Sequence, residues 1–202
     1  YGFPIGNPFE ATIAGTPAEL RPALPSDEDI DQGDYSLNLL PQREARLPSN
    51  FWPVKRLSYR LARQAGPAPL IFIIAGTGGH YSGGKMEFLK RLYYGAGYHV
   101  VQLSSPTSYD FMAAASRHAT PGFSVEDAKD LYRAMIAIRE QQESLKITEF
   151  YLTGYSLGGL ILNVSGKVVA NYWLNHVYPP EVGQAHREGD LHVHDLDMLS
   201  GY

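Results

Sequence analysis

Hydrophobic positions along this chain follow three different spacings. Leu70 to Ala75 (LIFIIA) is an unbroken apolar run of strand length, and Tyr98 to Leu103 is a second. Runs of this kind predict parallel strands covered on both faces. Ile147 to Thr153 predicts a third strand. Between these runs the spacing becomes helical. Lys85 to Tyr94 predicts a helix closed by Gly95 and Gly97. Ser124 to Gln142 predicts the longest one, with Val125, Ala128, Leu131, Met135 and Ile138 on one face. Ser124 reads as its N-cap, and Asp127 three residues on completes a capping-box pattern. Strands alternating with helices predict a right-handed, mostly parallel α/β sheet with flanking helices.

The flanks are patterned differently. Tyr35 to Leu39 and Val54 to Leu61 alternate with period two and predict an antiparallel edge, while Pro41, Pro48 and Pro53 keep the stretch between them out of a central sheet. Residues 1–33 are rich in Pro, Gly and acidic side chains, which predicts an irregular lead-in with one short helical turn near Ala18 to Leu20. Leu160 to Val177 has helical spacing, interrupted by Gly166 and ended by Pro179 and Pro180. A short helix to His186 and a strand-like alternation around Leu191 and Val193 complete the chain. The expected organisation is therefore a partial α/β domain over 1–159, followed over 160–202 by a helical segment ending in a short strand.

Composition narrows the chemistry. The 202 residues contain no cysteine, which excludes disulfides, thiolate metal sites and cysteine catalysis within them. A net charge of -4 gives no reason to expect nucleic acid or an anionic membrane as partner, and no apolar run is long enough to span a bilayer. The charge is uneven: Asp27, Glu28, Asp29, Asp31 and Asp34 crowd the first fifty residues, and Lys55, Arg56, Arg60, Arg63, Lys85, Lys90 and Arg91 crowd the next fifty. The expectation is two solvated faces that attract one another. Phe88, Tyr93, Tyr94 and Tyr98 are expected to be packing residues.

The chemical signal is GYSLGG at 154–159, entered directly from a predicted strand. A serine on a tight strand-to-helix turn is held clear of the surface, and flanking glycines let backbone segments approach closely. The following helix contributes unpaired N–H groups near any negative charge that develops. Ser156 is the candidate nucleophile and the Leu157 N–H one oxyanion donor. A second donor is expected from the loop after the earlier strand, where GTGG lies at 76–79; Thr77 and Gly78 both qualify.

A base is harder to find. In this architecture the acid and the histidine follow the serine. His176, His186, His192 and His194 do so, and His192 or His194 with Asp190, Asp195 or Asp197 is the best pairing available, although a triad usually draws its base and acid from separate elements. His80, His99 and His118 precede the serine. His186, Asp190, His192, His194 and Asp197 include metal-ligand types, but no spacing fixes a complete set. GTGGHYSGGK departs from the phosphate-loop spacing, with Met86 after Lys85. No cofactor or metal is expected.

Two family resemblances follow from longer stretches. NPFEATIAGTPAELRPALPSDEDIDQGDYSLNL, FWPVKRLSYRLARQ, LIFIIAGTGGHYSGGKMEFLKRLYYGAGYHVVQLSSPTSYDF and FYLTGYSLGG resemble bacterial α/β-hydrolase-fold proteins over 1–159. That resemblance implies a serine-hydrolase-like site acting on a small-molecule ester or amide, in a bacterial cytoplasm or periplasm. It also implies later strands, an acid and a base beyond the elbow that this pattern does not continue into. The expectation is thus an incomplete α/β-hydrolase-like sheet, lacking its full catalytic set, with an exposed edge open to self-association. YSLGGLILNVSGKVVANYWLNHVYPPEVGQAHREGDLHVHDLDMLSGY over 155–202 resembles the large subunit of anaerobic ribonucleoside-triphosphate reductase. Glycyl-radical chemistry in that family uses cysteines, which these residues lack. YSLGGL fits both families and is the expected point of a join.

Overall fold

A computed structural model of the chain describes residues 5–14, 22–44, 55–118 and 121–161. Five strands form one sheet: β1 (Gln32–Leu37), β2 (Leu57–Ala62), β3 (Ala68–Ile74), β4 (His99–Leu103) and β5 (Ile147–Gly154), in the order β1-β2-β4-β3-β5. β3 pairs in parallel with β4 on one side and β5 on the other. β2 is antiparallel to both of its neighbours, so it alone runs against the other four strands. The antiparallel edge and the parallel centre are those expected.

Parallel neighbours need crossovers, and helices supply them. α3 (Gly84–Gly95) links β3 to β4, and α4 (Tyr109–Ala114) and α5 (Ser124–Gln141) link β4 to β5. The second crossover carries the chain past β3, so β3 becomes the centre of the sheet. Its side chains alternate between two apolar clusters, as strand periodicity requires. Leu70, Phe72 and Ile74 pack with Phe111 of α4 and Ala128, Leu131, Met135 and Ile138 of α5. Ile71, Ile73 and Ala75 pack with Met86 of α3 and Val100. Burial of each large side chain contributes about 1.5–3 kcal/mol, which explains why both faces of β3 are apolar.

Several elements differ from expectation for local reasons. Residues 1–33 contain a helix, α1 (Pro8–Ala14), where irregular chain was expected. Asn7 Oδ1 accepts the Phe9 N–H at 2.9 Å, and Pro8 occupies the first helical position, which needs no N–H donor. The turn expected near Ala18 to Leu20 lies outside the described residues, and Asp27–Asp29 form a 3-10 turn. β1 begins at Gln32 because Asp34 stands opposite Arg60 in the ladder and accepts two hydrogen bonds from its guanidinium. α2 (Pro41–Glu44) and α4 have no counterpart in the periodicity. α5 is capped by Phe123 and not Ser124; Asp127 reaches back to the Gly122 N–H at 2.8 Å. Val125 and Phe88 are exposed, whereas Tyr93, Tyr94 and Tyr98 pack against the α3 side of the core.

The acidic and basic segments do meet, but one of their contacts is internal. Lys90 is 0% exposed, and its three N–H protons go to Asp27 Oδ1 (3.0 Å), Gln32 Oε1 (2.6 Å) and Glu87 Oε2 (2.6 Å). Arg91 and Arg63 bind Asp27 and Asp31 from the outside. Hydrogen bonds from Arg91, then Lys90, hold the Asp27 carboxyl well below the usual carboxylate range. A depressed folded-state pKa stabilises the fold above the unfolded value of about 4, and that contribution is lost as pH falls towards the folded value. Lys90→Met should cost about 2–3 kcal/mol in urea denaturation, because it leaves Glu87 Oε2 and Gln32 Oε1 without their donor in a partly buried site, while Arg60 still holds Glu87 Oε1. Asp27→Asn, at the solvated rim, should cost less than about 1 kcal/mol and flatten the acid limb of the stability curve. Equal losses in the two variants would contradict a buried role for Lys90.

Candidate active site

Three loops leave the carboxyl ends of adjacent parallel strands: residues 75–83 after β3, residues 104–108 after β4, and the turn at Tyr155 and Ser156 after β5. Open α/β sheets place their ligand sites at this edge. Because β3 lies between β4 and β5, its loop touches both of the others.

The turn after β5 is built from backbone contact. The Tyr155 N–H donates to the Ile74 carbonyl, extending the ladder by one bond, and a helix opens at residue 157. Ser156 lies between them at φ 54°, the only positive φ at a non-glycine among the described residues. A methyl group at Gly154 would stand 2.8 Å from the Gly158 carbonyl carbon and 2.9 Å from the Ile74 oxygen. One at Gly158 would stand 2.8 Å from the Ala75 oxygen. Only glycine allows these approaches. Ser156 is exposed, and no described residue hydrogen-bonds its Oγ. The Leu157 N–H, at the first helical position, has no intrahelical acceptor.

The glycine loop lies against this turn. A methyl at Gly76 would meet the Tyr155 ring at 2.8 Å and Ser156 Cβ at 3.0 Å. Gly76 to Gly79 form a β-turn closed by the Gly79 N–H to the Gly76 carbonyl at 2.8 Å, with Gly78 at φ 65° in the third position. Of the two expected donors, Gly78 gives its N–H to Thr107 Oγ1 at 2.9 Å. The Thr77 N–H has no partner among the described residues. Peptide planarity explains this: with the Gly76 carbonyl turned into the β-turn, the Thr77 N–H of the same trans unit points out of it.

The loop after β4 holds residues that sequence reasoning missed. Ser104 Oγ accepts the Tyr81 N–H at 3.0 Å and donates to Asp110 Oδ2 at 2.6 Å. The Ser105 N–H donates to the Gly79 carbonyl at 2.9 Å. Ser105 Oγ and Thr107 Oγ1 are 2.9 Å apart, and Ser108 Oγ lies 2.5 Å from Asp110 Oδ1. Asp110 is 6% exposed; Ser104 donates to its carboxylate, and the Ser108 hydroxyl is shared between it and the Ser105 carbonyl at 2.6 Å. The signal was legible: SSPTSYD places five hydroxyls and a carboxylate within seven residues, directly after an apolar strand.

None of the three described histidines is hydrogen-bonded to Ser156. His99 is buried at the opposite end of the sheet, where Nδ1 accepts the Gln64 N–H and Nε2 faces the Lys146 carbonyl; burial lowers its pKa. His118 contacts Glu126 at 2.9 Å. His80 lies in the glycine loop, half-exposed, with Nδ1 on Ser82 Oγ at 2.9 Å and Nε2 3.9 Å from Asp110. His192, His194 and Asp195 lie outside the described residues, as do His176, His186, Asp190 and Asp197. Among the described residues no group of side chains could hold a metal ion, and no helix is long and apolar enough to cross a membrane.

A mostly parallel sheet that presents a serine on a glycine-flanked elbow at its carboxyl edge defines an α/β-hydrolase-like class of fold. Comparison with known proteins finds two likenesses. The chain is similar to Est1E from Butyrivibrio proteoclasticus, at 17% identity over 56% of this chain and 42% of that one, with a TM-score of 0.41. It is similar to brefeldin A esterase, a bacterial homologue of human hormone-sensitive lipase, at 16% identity over 73% and 39%, with a TM-score of 0.48. It is also similar to a cold-adapted esterase from an Arctic intertidal metagenomic library, at 13% identity over 71% and 59%, with a TM-score of 0.47. The chain thus spans less than two thirds of the length of each. Residues 151–202 match the family described as anaerobic ribonucleoside-triphosphate reductase. No curated protein matches. That family match begins within β5.

A left-handed backbone at a serine costs about 1–2 kcal/mol. Ser156→Gly should therefore be about 1 kcal/mol more stable than Ser156→Ala in chemical denaturation. Gly158→Ala should lose at least about 2 kcal/mol through backbone displacement. Equal stability of the Gly and Ala variants at 156 would contradict the strained elbow.

Proposed function

We propose that this chain carries the nucleophile and oxyanion hole of a serine-hydrolase-like site for ester or amide hydrolysis. The observation that carries the reading is Ser156 at φ 54° between two glycines that admit no side chain, with its Oγ exposed beside unpartnered N–H groups. Strain of this kind at a polar, exposed residue points to function. In the reaction, Ser156 Oγ bonds to the substrate carbonyl carbon as its proton leaves to a base. The carbonyl oxygen becomes an oxyanion held by the N–H groups of Leu157 and Thr77. Collapse expels the alcohol or amine, which takes up a proton. Water then attacks the acyl-serine, releasing the acid and restoring the hydroxyl. No described residue is in place to take the Ser156 proton, so the proposal assigns the chain a nucleophile and an oxyanion hole that react slowly. An oxyanion hole alone retains about 10³–10⁴-fold catalysis over water.

A second reading rests on the family match over 151–202. It makes that segment a fragment of an anaerobic ribonucleotide reductase, but the 202 residues supply no cysteine for radical transfer.

Intact-mass detection of fluorophosphonate labelling separates these readings. Slow stoichiometric labelling is expected, lost in Ser156→Ala, accelerated by added imidazole, and unchanged in a His192→Ala, His194→Ala double variant. A folded chain that resists labelling even with imidazole would remove Ser156 as nucleophile. A slower double variant would show that the tail supplies a base.

A further inference from the structure

We infer that Thr107 is the positioning residue of the oxyanion loop, and that the buried carboxylate of Asp110 anchors the segment that carries it. This rests on the reading of Ser156 above and extends it to residues on a different strand.

The loop after β3 has little to hold it by itself. Four of its residues are glycine, and its one internal backbone bond near Ser156 is the 76–79 turn. A second turn is closed by the Gly83 N–H to the His80 carbonyl, Gln102 of β4 donates to the Tyr81 carbonyl, and the other anchors come from the loop after β4. Three hydrogen bonds cross between them: Gly78 N–H to Thr107 Oγ1, Ser105 N–H to the Gly79 carbonyl, and Tyr81 N–H to Ser104 Oγ. The first decides which donor remains free. By binding the Gly78 N–H, Thr107 fixes the plane of the 77–78 peptide; with the Gly76 carbonyl committed to Gly79, both peptides flanking Thr77 are set. The Thr77 N–H is then the group left unpaired beside the elbow. Without Thr107, Gly78 is free to swing between conformations that glycine adopts at similar cost, and the 76–79 turn that sets the direction of the Thr77 N–H is held by its single internal bond.

Asp110 acts one step further back. It takes the Ser104 hydroxyl proton at 2.6 Å, which turns the Ser104 lone pairs towards the Tyr81 N–H. Its other oxygen lies 2.5 Å from Ser108 Oγ, whose one proton is shared with the Ser105 carbonyl at 2.6 Å, beside the Ser108 N–H bond to that carbonyl that folds the 105–108 turn carrying Thr107. Hydrogen bonds to a buried carboxylate are stronger than those between neutral groups. No step of the proposed reaction uses Asp110, so its burial is explained by this anchoring.

The test uses the full chain and compares Thr107→Val, which keeps the shape and removes the acceptor, with Thr107→Ser, which keeps the acceptor and removes the methyl. Amide hydrogen exchange at Gly78 should be protected in the unmodified chain and in Thr107→Ser, and accelerate at least about 10-fold in Thr107→Val. With a fluorophosphonate probe, the maximal labelling rate should fall about 10- to 100-fold in Thr107→Val, less than the roughly 100- to 1000-fold cost of removing an oxyanion donor outright, because the donor is misdirected and not deleted. The concentration for half-maximal rate should hold, and Thr107→Ser should restore the rate. An unprotected Gly78 amide in the unmodified chain would overturn the inference. So would rapid Gly78 exchange in Thr107→Val with an unchanged labelling rate. If the unmodified chain is not labelled at all, the reading of Ser156 fails, and the catalytic use of Thr107 fails with it, whatever the exchange data show.

Discussion

The architecture at the sheet's carboxyl edge depends on one close approach, that of the backbone at Gly154 and Gly158 to the carbonyl oxygens that end β3. No side chain fits at either glycine, and the neighbouring backbone atoms stand under 3 Å from where one would begin. The chain leaves β5, crosses over the end of β3 and enters a helix within a few residues. That reversal forces Ser156 into the left-handed region and turns its side chain outward. Elbow, strain and exposure are therefore three consequences of one packing constraint.

β3 can be the reference for that contact because it is the central strand of the sheet, with six of its seven residues buried. Its apolar residues face α4 and α5 on one side and α3 on the other, and strands flank both of its edges. A strand fixed in this way holds its last carbonyls in place, and the loops after β4 and β5 are positioned by reference to it. The hydroxyl-rich turn after β4 completes the arrangement by supplying polar partners to a glycine loop that has few of its own. The ion-pair cluster around Lys90 does similar work at a distance from the site, tying the acidic lead-in to α3.

Much of this was legible in the sequence. Apolar runs located β3, β4 and β5, helical spacing located α3 and α5, and GYSLGG with GTGG located the elbow and its neighbouring loop. Other features escaped because they do not depend on periodicity. α1 is set by Asn7 and Pro8 at its start, and β1 begins three residues early because Asp34 has a partner on β2. The choice between Thr77 and Gly78 depends on a residue 29 positions away, a contact that spacing cannot express. The burial of Lys90 is similar: the sequence gives opposite charges, and only the fold shows that they meet away from water.

The central claim is that Ser156 and the N–H groups of Leu157 and Thr77 converge on one oxygen. A crystal structure of the chain after reaction with a small organophosphate, with imidazole added to drive the reaction, tests it directly. The account predicts a phosphorus bonded to Ser156 Oγ, with the phosphoryl oxygen about 3 Å from both amide nitrogens. A phosphoryl oxygen turned to solvent, or an adduct on another residue such as Ser82, would contradict it.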